Sequence, residues 1–423
     1  MNNIINKFLE ICSRANSYIM LSRSCIFIFS LFSFFGSLIG LSYYAWYHIH
    51  NPVAQYDIDG WGHLVCKMID AGESWRLLPD AVYLWRGFLV PFIFGLSYCI
   101  FNIPESVQIL NVFTQASVSM ILTYYFSNSY RNPLLGFSIA LIWAIWPPFS
   151  SYYGYYFSEP LCGLIYILLW IVSVEFLKKP EKLYGIMLGA LLALSIHVRA
   201  SSVLIVFFFF VCLFTLWRKK ILPFLPLIVI AFSVVYFPWP IRNYIVTGHF
   251  IPLTVGGGYV LHQGSFLSGD DCLLTLKTIP EFQEREKKAE TMDLIARDKY
   301  FKKLAIEQMK ADPLGQIKLT IKKMLRFWYY IPAYEWLPTV KTLLVMTPLL
   351  ILALIGSIKK FDDTAVQLIL LMIFGLWILS GITHSELRYH FPVFPLLLFL
   401  SYQGVSYIYN TAFIRKREAK NNA

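Results

Sequence analysis

Residues 201–238 read SSVLIVFFFFVCLFTLWRKKILPFLPLIVIAFSVVYFP, which is two apolar runs separated by the basic residues Arg218, Lys219 and Lys220. Each run approaches the roughly 20 apolar residues that an α-helix needs to cross the hydrocarbon core of a bilayer. A basic turn between two such runs is typical of a loop on the cytoplasmic side. The stretch therefore predicts two membrane-spanning helices joined by a short cytoplasmic turn.

Similar apolar runs recur along the whole chain of 423 residues. Hydrophobic residues make up 57% of the sequence and charged residues 14%, whereas soluble domains contain about 25% charged residues. This composition excludes a soluble enzyme, a disordered protein and a fibrous repeat. It predicts an all-α polytopic transmembrane bundle of about ten or more spans, in a single membrane domain, 1–423. The predicted spans are 25–47, 106–127, 134–149, 160–177, 184–198, 201–217, 221–238, 339–357, 364–383 and 391–411.

The distribution of basic residues predicts the orientation of these spans. With the N-terminus in the cytoplasm, the inner segments contain 16 of the 36 lysines and arginines, whereas the short outer segments contain five. The net charge of +11 is therefore explained by topology and does not indicate a nucleic-acid partner. All eight histidines then lie on the outer side, so any chemistry is expected outside the cytoplasm.

Two long outer segments are predicted, 48–105 and 239–338. The first contains the apolar run 87–101, which is too short to cross a bilayer and is typical of an interfacial or re-entrant helix. The second contains Asp312-Pro313, a favourable N-cap and first-turn pair for a helix. Apolar residues then recur at helical spacing with basic residues between them: Leu314, Ile317, Ile321, Met324 and Trp328, with Lys318, Lys322, Lys323 and Arg326. This pattern predicts a basic amphipathic helix on the membrane surface, where its simplest role is to anchor to anionic headgroups.

The first outer segment contains an acidic motif, Tyr56-Asp57-Ile58-Asp59-Gly60-Trp61-Gly62-His63. In an extended segment Asp57 and Asp59 would point to opposite sides, so only one would face a site. In a turn both could bind a cation. Asp57 and Asp59 are thus candidates for a general base, or for a base plus a metal ligand, and the alternative is a solvated polar loop. The sequence identifies no certain cofactor. It leaves open whether a divalent cation is required, and whether a disulfide forms among Cys66, Cys99 and Cys272.

The order of residues in this segment resembles a known family. Asp59, Cys66, Gly72, Arg86 and Pro91 follow the layout of membrane glycosyltransferases of the GT-C type, in the branch related to dolichyl-phosphate-mannose protein mannosyltransferases and bacterial aminoarabinose transferases. That family often has adjacent Asp-Glu, whereas this chain has Asp57-x-Asp59. In this alignment Asp59 takes the second acidic position.

Further motifs of the same family occur in the same order. The segment Pro238-Trp239-Pro240-Ile241-Arg242-Asn243-Tyr244 is the most specific match. The others are Ser158-Glu159-Pro160-Leu161, His197-Val198-Arg199, Ala311-Asp312-Pro313 with Lys323 and Phe327-Trp328, and Arg388-Tyr389-His390-Phe391-Pro392. Together these motifs cover the chain from about 25 to 400.

Together with the short chain and the lack of a large soluble domain, the resemblance implies a glycosyltransferase of the bacterial cytoplasmic membrane. Its donor would be a polyprenyl-phosphate-linked sugar, and its acceptor a glycan, a lipid or a protein on the extracytoplasmic face. Asp59 would be the base, with Asp57 as its alternate or a metal ligand. Arginine forks match phosphate oxygens, so Arg199, Arg242 and Arg388 are candidates for binding the donor phosphate. Residues that could orient substrates are Arg86, Glu159, His197, His390 and Tyr244. Alternatively, such arginines extend to lipid headgroups and Glu159 caps a helix.

Two other functions fit a membrane protein of this size. A transporter or flippase would show symmetric halves and charges near the midplane of the membrane, but the sequence has no internal repeat and its polar residues concentrate on one side. A polysaccharide ligase would transfer a preassembled chain, and the number of sugars on the donor distinguishes it from a transferase of single sugars.

Overall fold

The computed structural model describes residues 23–50, 87–103, 105–130, 133–145, 158–271 and 273–421. Every regular element within these residues is helical, which confirms the all-α prediction. The longer helices are α1 (Arg23–His50), α2 (Leu89–Phe101), α3 (Ser106–Ser129), α4 (Pro133–Ile145), α5 (Glu159–Lys178), α6 (Lys182–Val198), α7 (Val203–Thr215), α8 (Leu225–Tyr236), α9 (Pro238–Thr247), α10 (Gly257–Ser265), α11 (Pro280–Glu290), α12 (Leu294–Ala311), α13 (Pro313–Arg326), α14 (Val340–Lys359), α15 (Thr364–Ile382) and α16 (Phe394–Asn421).

The described residues of each predicted apolar stretch are largely helical. Within the described residues, six helical segments are long and apolar enough to cross a membrane: Ser106–Ser129, Glu159–Lys178, Arg218–Thr247, Val340–Lys359, Thr364–Ile382 and Leu387–Thr411. Shorter apolar helices account for the other predicted spans, and for α2. The chain therefore has the helices of a multi-pass membrane protein. The count of ten or more spans and the interfacial position of α2 stay predictions.

The first of two compact units comprises residues 1–53 and 108–155. Helix α4 packs on α1 in this unit. A hydroxyl pair joins α1 to α3, because Thr123 Oγ1 donates to Ser33 Oγ at 2.9 Å and Ser33 Oγ donates to the Ser119 carbonyl at 3.3 Å. Buried hydroxyls that bond to each other or to helix carbonyls satisfy their polar atoms where water is excluded.

The second unit comprises residues 54–107 and 156–423 and contains the helix pairs α6–α8, α7–α15 and α14–α16. The last pair packs closely through glycines. A Cβ atom on Gly356 would lie 2.2 Å from the Leu400 carbonyl oxygen, and one on Gly404 would lie 2.1 Å from the Leu352 carbonyl oxygen. Small residues that let two backbones approach are typical of helix pairs in membranes.

Helix α13 forms as predicted, but its basic face is oriented differently from the prediction. The Asp312 side chain accepts a hydrogen bond from the Gly315 amide at 2.8 Å, which confirms the N-cap. Leu314 and Ile317 are 72% and 56% exposed, so the apolar face is open. Three of the basic residues are buried instead of reaching headgroups: Lys322, Lys323 and Arg326. The anchoring interpretation was therefore wrong for these three, because oxygen atoms inside the same unit bind their charges.

Candidate functional site

A cleft of about 420 Å³ lies in the second unit where several helix ends meet. Polar and charged residues interrupt the apolar pattern at these ends and line the cleft together with apolar side chains such as Leu253 and Leu379. The cleft is lined by the start of α5, the junction of α6 and α7, the start of α10 and the segment between α15 and α16. The lining residues that carry charge or an aromatic ring are Glu159, Arg199, His384, Arg388 and Tyr389.

A buried ion pair joins the start of α5 to the end of α6. Glu159 is 2% exposed and its Oε1 accepts a hydrogen bond from Arg199 Nη1 at 3.1 Å. Glu159 lies in the first turn of α5, and its neighbour Ser158 makes no side-chain capping bond. The Glu159 carboxylate therefore serves as a counter-ion for Arg199, and does more than cap the helix. Because an unpaired buried carboxylate is costly, this contact restrains both side chains.

A second guanidinium group lies beside the same carboxylate. Arg388 Nε is 3.6 Å from Glu159 Oε1 and 2.6 Å from Glu386 Oε2. The Tyr389 ring contacts both arginines, with its centroid 4.2 Å from Arg199 Cζ and 5.6 Å from Arg388 Cζ. The side chains of Arg199 and Arg388 are 20% and 19% exposed. Both guanidinium groups are thus held in place and still reach the cleft.

His384 links Glu386 to the interior of the unit. Its Nδ1 lies 2.5 Å from Asp271 Oδ1 and its Nε2 lies 2.9 Å from Glu386 Oε1. The other Asp271 oxygen accepts a hydrogen bond from the Ser385 amide at 3.0 Å. Burial favours the neutral imidazole, but Asp271, Tyr389 and Glu386 outweigh burial and raise the pKa of His384 well above its ordinary value. Arg388 and His384 hold the pKa of Glu386 well below its ordinary value, and they outweigh the opposing effect of its partial burial.

The neighbouring carboxylate, Asp270, binds helix α13 instead. Lys322 Nζ donates to both oxygens of Asp270 at 2.8 Å, and Arg326 Nη2 donates to Oδ2 at 2.6 Å. Asp270 and Asp271 have φ angles of 51° and 54°, a left-handed backbone that aspartate tolerates better than most residues. This conformation lets two successive carboxylates bind different elements, one α13 and the other the segment after α15.

Lys323 of α13 binds backbone carbonyl groups at the ends of α10 and α15. Its ammonium donates to the carbonyl oxygens of Gly264 at 2.9 Å, Thr383 at 2.8 Å and Ile382 at 3.2 Å. Burial lowers the pKa of Lys323 to about 8, and Asp271 partly opposes this. A Cβ atom on Gly264 would lie 1.6 Å from the Thr383 carbonyl oxygen, so no other residue fits at this junction without movement of the backbone.

The structure brings together three of the residues predicted from sequence: Glu159, Arg199 and Arg388. Four others do not line the cleft. Arg242 is fully buried beside Asn243, His197 bonds to the Val235 carbonyl at 3.0 Å, His390 lies among aromatic rings, and Tyr244 is 57% exposed. Their assignment to the donor or to substrate orientation stays a prediction.

Several predicted residues lie outside the described part of the chain: Asp57, Asp59, Arg86, Cys66 and Cys272. Cys99 is disulfide-bonded. Among the described residues, no group of three or more histidine, cysteine or carboxylate side chains is arranged to hold a metal ion. The acidic motif and its cation alternative therefore stay predictions.

Sequence reasoning assigned no role to Asp271, His384, Glu386 or Tyr389. A signal for three of them was present, because His384-Ser385-Glu386-Leu387-Arg388-Tyr389 is a polar segment between two predicted spans. Asp271 gave no such signal, since its partner His384 is more than 100 residues away in the sequence. Long-range pairing of this kind depends on the fold and not on a local pattern.

The sequence matches no protein-family model and no curated protein. What the cleft can do must therefore be argued from its geometry. Two partly exposed guanidinium groups around a buried carboxylate suit an anionic ligand rich in oxygen atoms, such as a phosphate, because guanidinium forks match such oxygens.

Proposed function

We propose that this chain is a membrane glycosyltransferase that takes a sugar from a polyprenyl-phosphate carrier and transfers it to an acceptor hydroxyl. The GT-C-like order of motifs from Asp59 to Arg388 supports the reaction class. The observation that carries the proposal is the cleft in which Arg199 and Arg388 meet around Glu159. Two of the three arginines that the motifs assigned to the donor phosphate are thus neighbours in space.

The leaving group of this reaction is a phosphate, which explains why the cleft would need arginines. The acceptor oxygen attacks the anomeric carbon, and the bond from that carbon to the phosphate oxygen breaks. The departing phosphate is already an anion, so it needs positive charge and hydrogen-bond donors, and no protonating acid. Arg199 and Arg388 would supply both. A single in-line displacement inverts the anomeric centre.

The acceptor proton needs a base, which we assign to Asp59 with Asp57 as its alternate. The carboxylate takes the proton as the oxygen attacks, and such general-base assistance contributes about 10²–10⁴-fold. Glu159 is poorly suited to that role, because it is buried and already paired with Arg199. The acceptor is a glycan, a lipid or a protein.

The apolar helices and the charge distribution support the membrane placement. We propose ten or more spans, a cytoplasmic N-terminus and a cleft on the extracytoplasmic face of the bacterial cytoplasmic membrane. Nucleotide sugars are confined to the cytoplasm, whereas a lipid carrier can be moved across the membrane. An enzyme that works on the outer face therefore needs a lipid-linked donor.

The substitution Arg199→Gln is expected to weaken the binding of a synthetic polyprenyl phosphate by about ten- to a hundredfold. A hydrogen bond to a charged group contributes about 1.5–3 kcal/mol, and about 1.4 kcal/mol corresponds to a factor of ten. Glutamine keeps an N–H donor for Glu159, and Arg388 Nε stays 3.6 Å from the same carboxylate as its counter-ion, so the helix junction is expected to persist. Affinity can be measured in mild detergent by titration with the lipid.

Lys302→Gln is the matched control, since it removes one exposed positive charge from α12, outside the cleft. The assignment of the cleft would be contradicted if both variants bound the polyprenyl phosphate as tightly as the wild type does. Movement of an intact lipid-linked sugar across proteoliposomes, without release of polyprenyl phosphate, would instead identify a flippase.

A further inference from the structure

A chain of contacts leads from the interior of the second unit to Arg388 at the cleft, and the proposed reaction assigns no role to the residues that precede Arg388 in this chain. Asp271 binds His384, His384 binds Glu386, and Glu386 lies against Arg388. The side chains of Asp271 and His384 are 0% and 6% exposed, whereas that of Glu386 is 39% exposed. The chain therefore begins at fixed, buried groups and ends at one that borders solvent.

Because Glu386 is partly exposed, its side chain needs the contacts of the buried residues Asp271 and His384 to stay in one conformation. A glutamate side chain with this much solvent around it has several accessible rotamers, and ordering it costs conformational entropy. The contacts with His384 Nε2 at 2.9 Å and Arg388 Nε at 2.6 Å select one of these rotamers. His384 is itself oriented by Asp271, whose second oxygen is fixed by the Ser385 amide.

We propose that Asp271 and His384 are positioning residues, which hold Glu386 and through it keep the guanidinium group of Arg388 directed into the cleft. That Arg388 binds a phosphate in this position rests on the proposed function, but the positioning of Arg388 by Asp271, His384 and Glu386 does not. Only a doubly protonated imidazole donates from both ring nitrogens, so the bridge between two carboxylates depends on the proton of His384.

Other charged or titratable groups face this bridge and must be considered in its titration. They are Tyr389 and Arg388 from the segment after α15, Lys323 from α13, Arg199 from the end of α6 and Glu159 from α5. The carboxylates and Tyr389 stabilise the charged form of His384. Its pKa is therefore raised, and the bridge persists below this raised pKa and is lost as the pH rises through it.

The experiment measures the reactivity of Arg388 relative to Arg199 toward phenylglyoxal, by peptide mass spectrometry of the full chain in mild detergent. The two side chains are nearly equally exposed, at 19% and 20%, and the intrinsic pH dependence of the reagent cancels in their ratio. His384→Gln and Glu386→Gln are each expected to raise the ratio about tenfold, because Arg388 loses its restraint while Arg199 keeps Glu159. Global loosening of the protein would increase both reactivities and leave the ratio unchanged.

The pH profile gives a second measurement that needs no variant to fold. In the wild type the ratio is expected to rise as alkaline pH removes the proton of His384, and in His384→Gln this step is expected to disappear. A step caused by Lys323 would persist in that variant. Ratios that are unaffected by both substitutions and by pH would overturn the positioning role. If the ratio responds as expected but no variant changes the affinity for a polyprenyl phosphate, the positioning stands and the proposed function fails.

Discussion

Asp59→Asn is expected to reduce the transfer of sugar by about 10²–10⁴-fold, the contribution that a positioned general base makes. Asparagine has nearly the same size as aspartate but cannot accept the proton of the acceptor hydroxyl. The loss should appear in the rate of transfer and not in the binding of the donor, because the arginines of the cleft are unchanged. Release of polyprenyl phosphate from the lipid-linked donor, in the presence of acceptor, measures the rate.

The matched control for this prediction is Asp57→Asn, two residues earlier in the same motif. If Asp59 is the base, Asp57→Asn should retain more activity, and both variants should show the thermal unfolding of the wild type. Wild-type turnover in purified Asp59→Asn would contradict the assignment. A selective loss in Asp57→Asn would transfer the role to Asp57, and a loss restored by added divalent cation would indicate a metal ligand.

Asp270→Asn is expected to destabilise the attachment of α13 by about 3–5 kcal/mol, the usual cost of removing one partner of a buried ion pair. The substitution leaves the charges of Lys322 and Arg326, which are 2% and 7% exposed, without their carboxylate. Amide hydrogen exchange in α13 should accelerate by about a thousandfold, because each factor of ten corresponds to about 1.4 kcal/mol.

Asp293→Asn provides the control for Asp270→Asn. Asp293 is exposed and caps α12 by accepting from the amides of Ile295 and Ala296 at 3.0 Å and 2.9 Å. Asparagine caps a helix about as well as aspartate does, so this variant should exchange like the wild type. Unchanged exchange in α13 of Asp270→Asn would show that the buried ion pair does not hold the helix.

The helices of this protein could be predicted from its sequence, because apolar runs and caps are local signals. The N-cap at Asp312 is an example, since an aspartate followed by Pro313 favours a helix start whatever the surroundings. The orientation of α13 could not be predicted in the same way. Its pattern of lysines resembles a headgroup anchor, and only the contact with Asp270, more than 50 residues earlier, shows that the basic face is buried.

The cleft was predictable in part for the same reason. Arg199 and Arg388 follow or precede apolar runs, so the sequence places them at helix ends, where charged groups can meet. Their pairing with Glu159 and Glu386 depends on how α5, α6 and α15 pack, which no local pattern encodes. Arg242 shows the opposite case. It belongs to the most specific motif of the sequence, yet its side chain is fully buried beside Asn243 and does not line the cleft.

The proposed function depends on binding of a polyprenyl phosphate in the cleft, which native mass spectrometry of the protein purified in mild detergent can detect. We expect a bound polyprenyl phosphate or its monoglycosylated form, whose mass identifies the donor sugar, and we expect the loss of this lipid in Arg199→Gln but not in Lys302→Gln. Bulk phospholipids alone, even after addition of a polyprenyl-phosphate sugar, would contradict the claim.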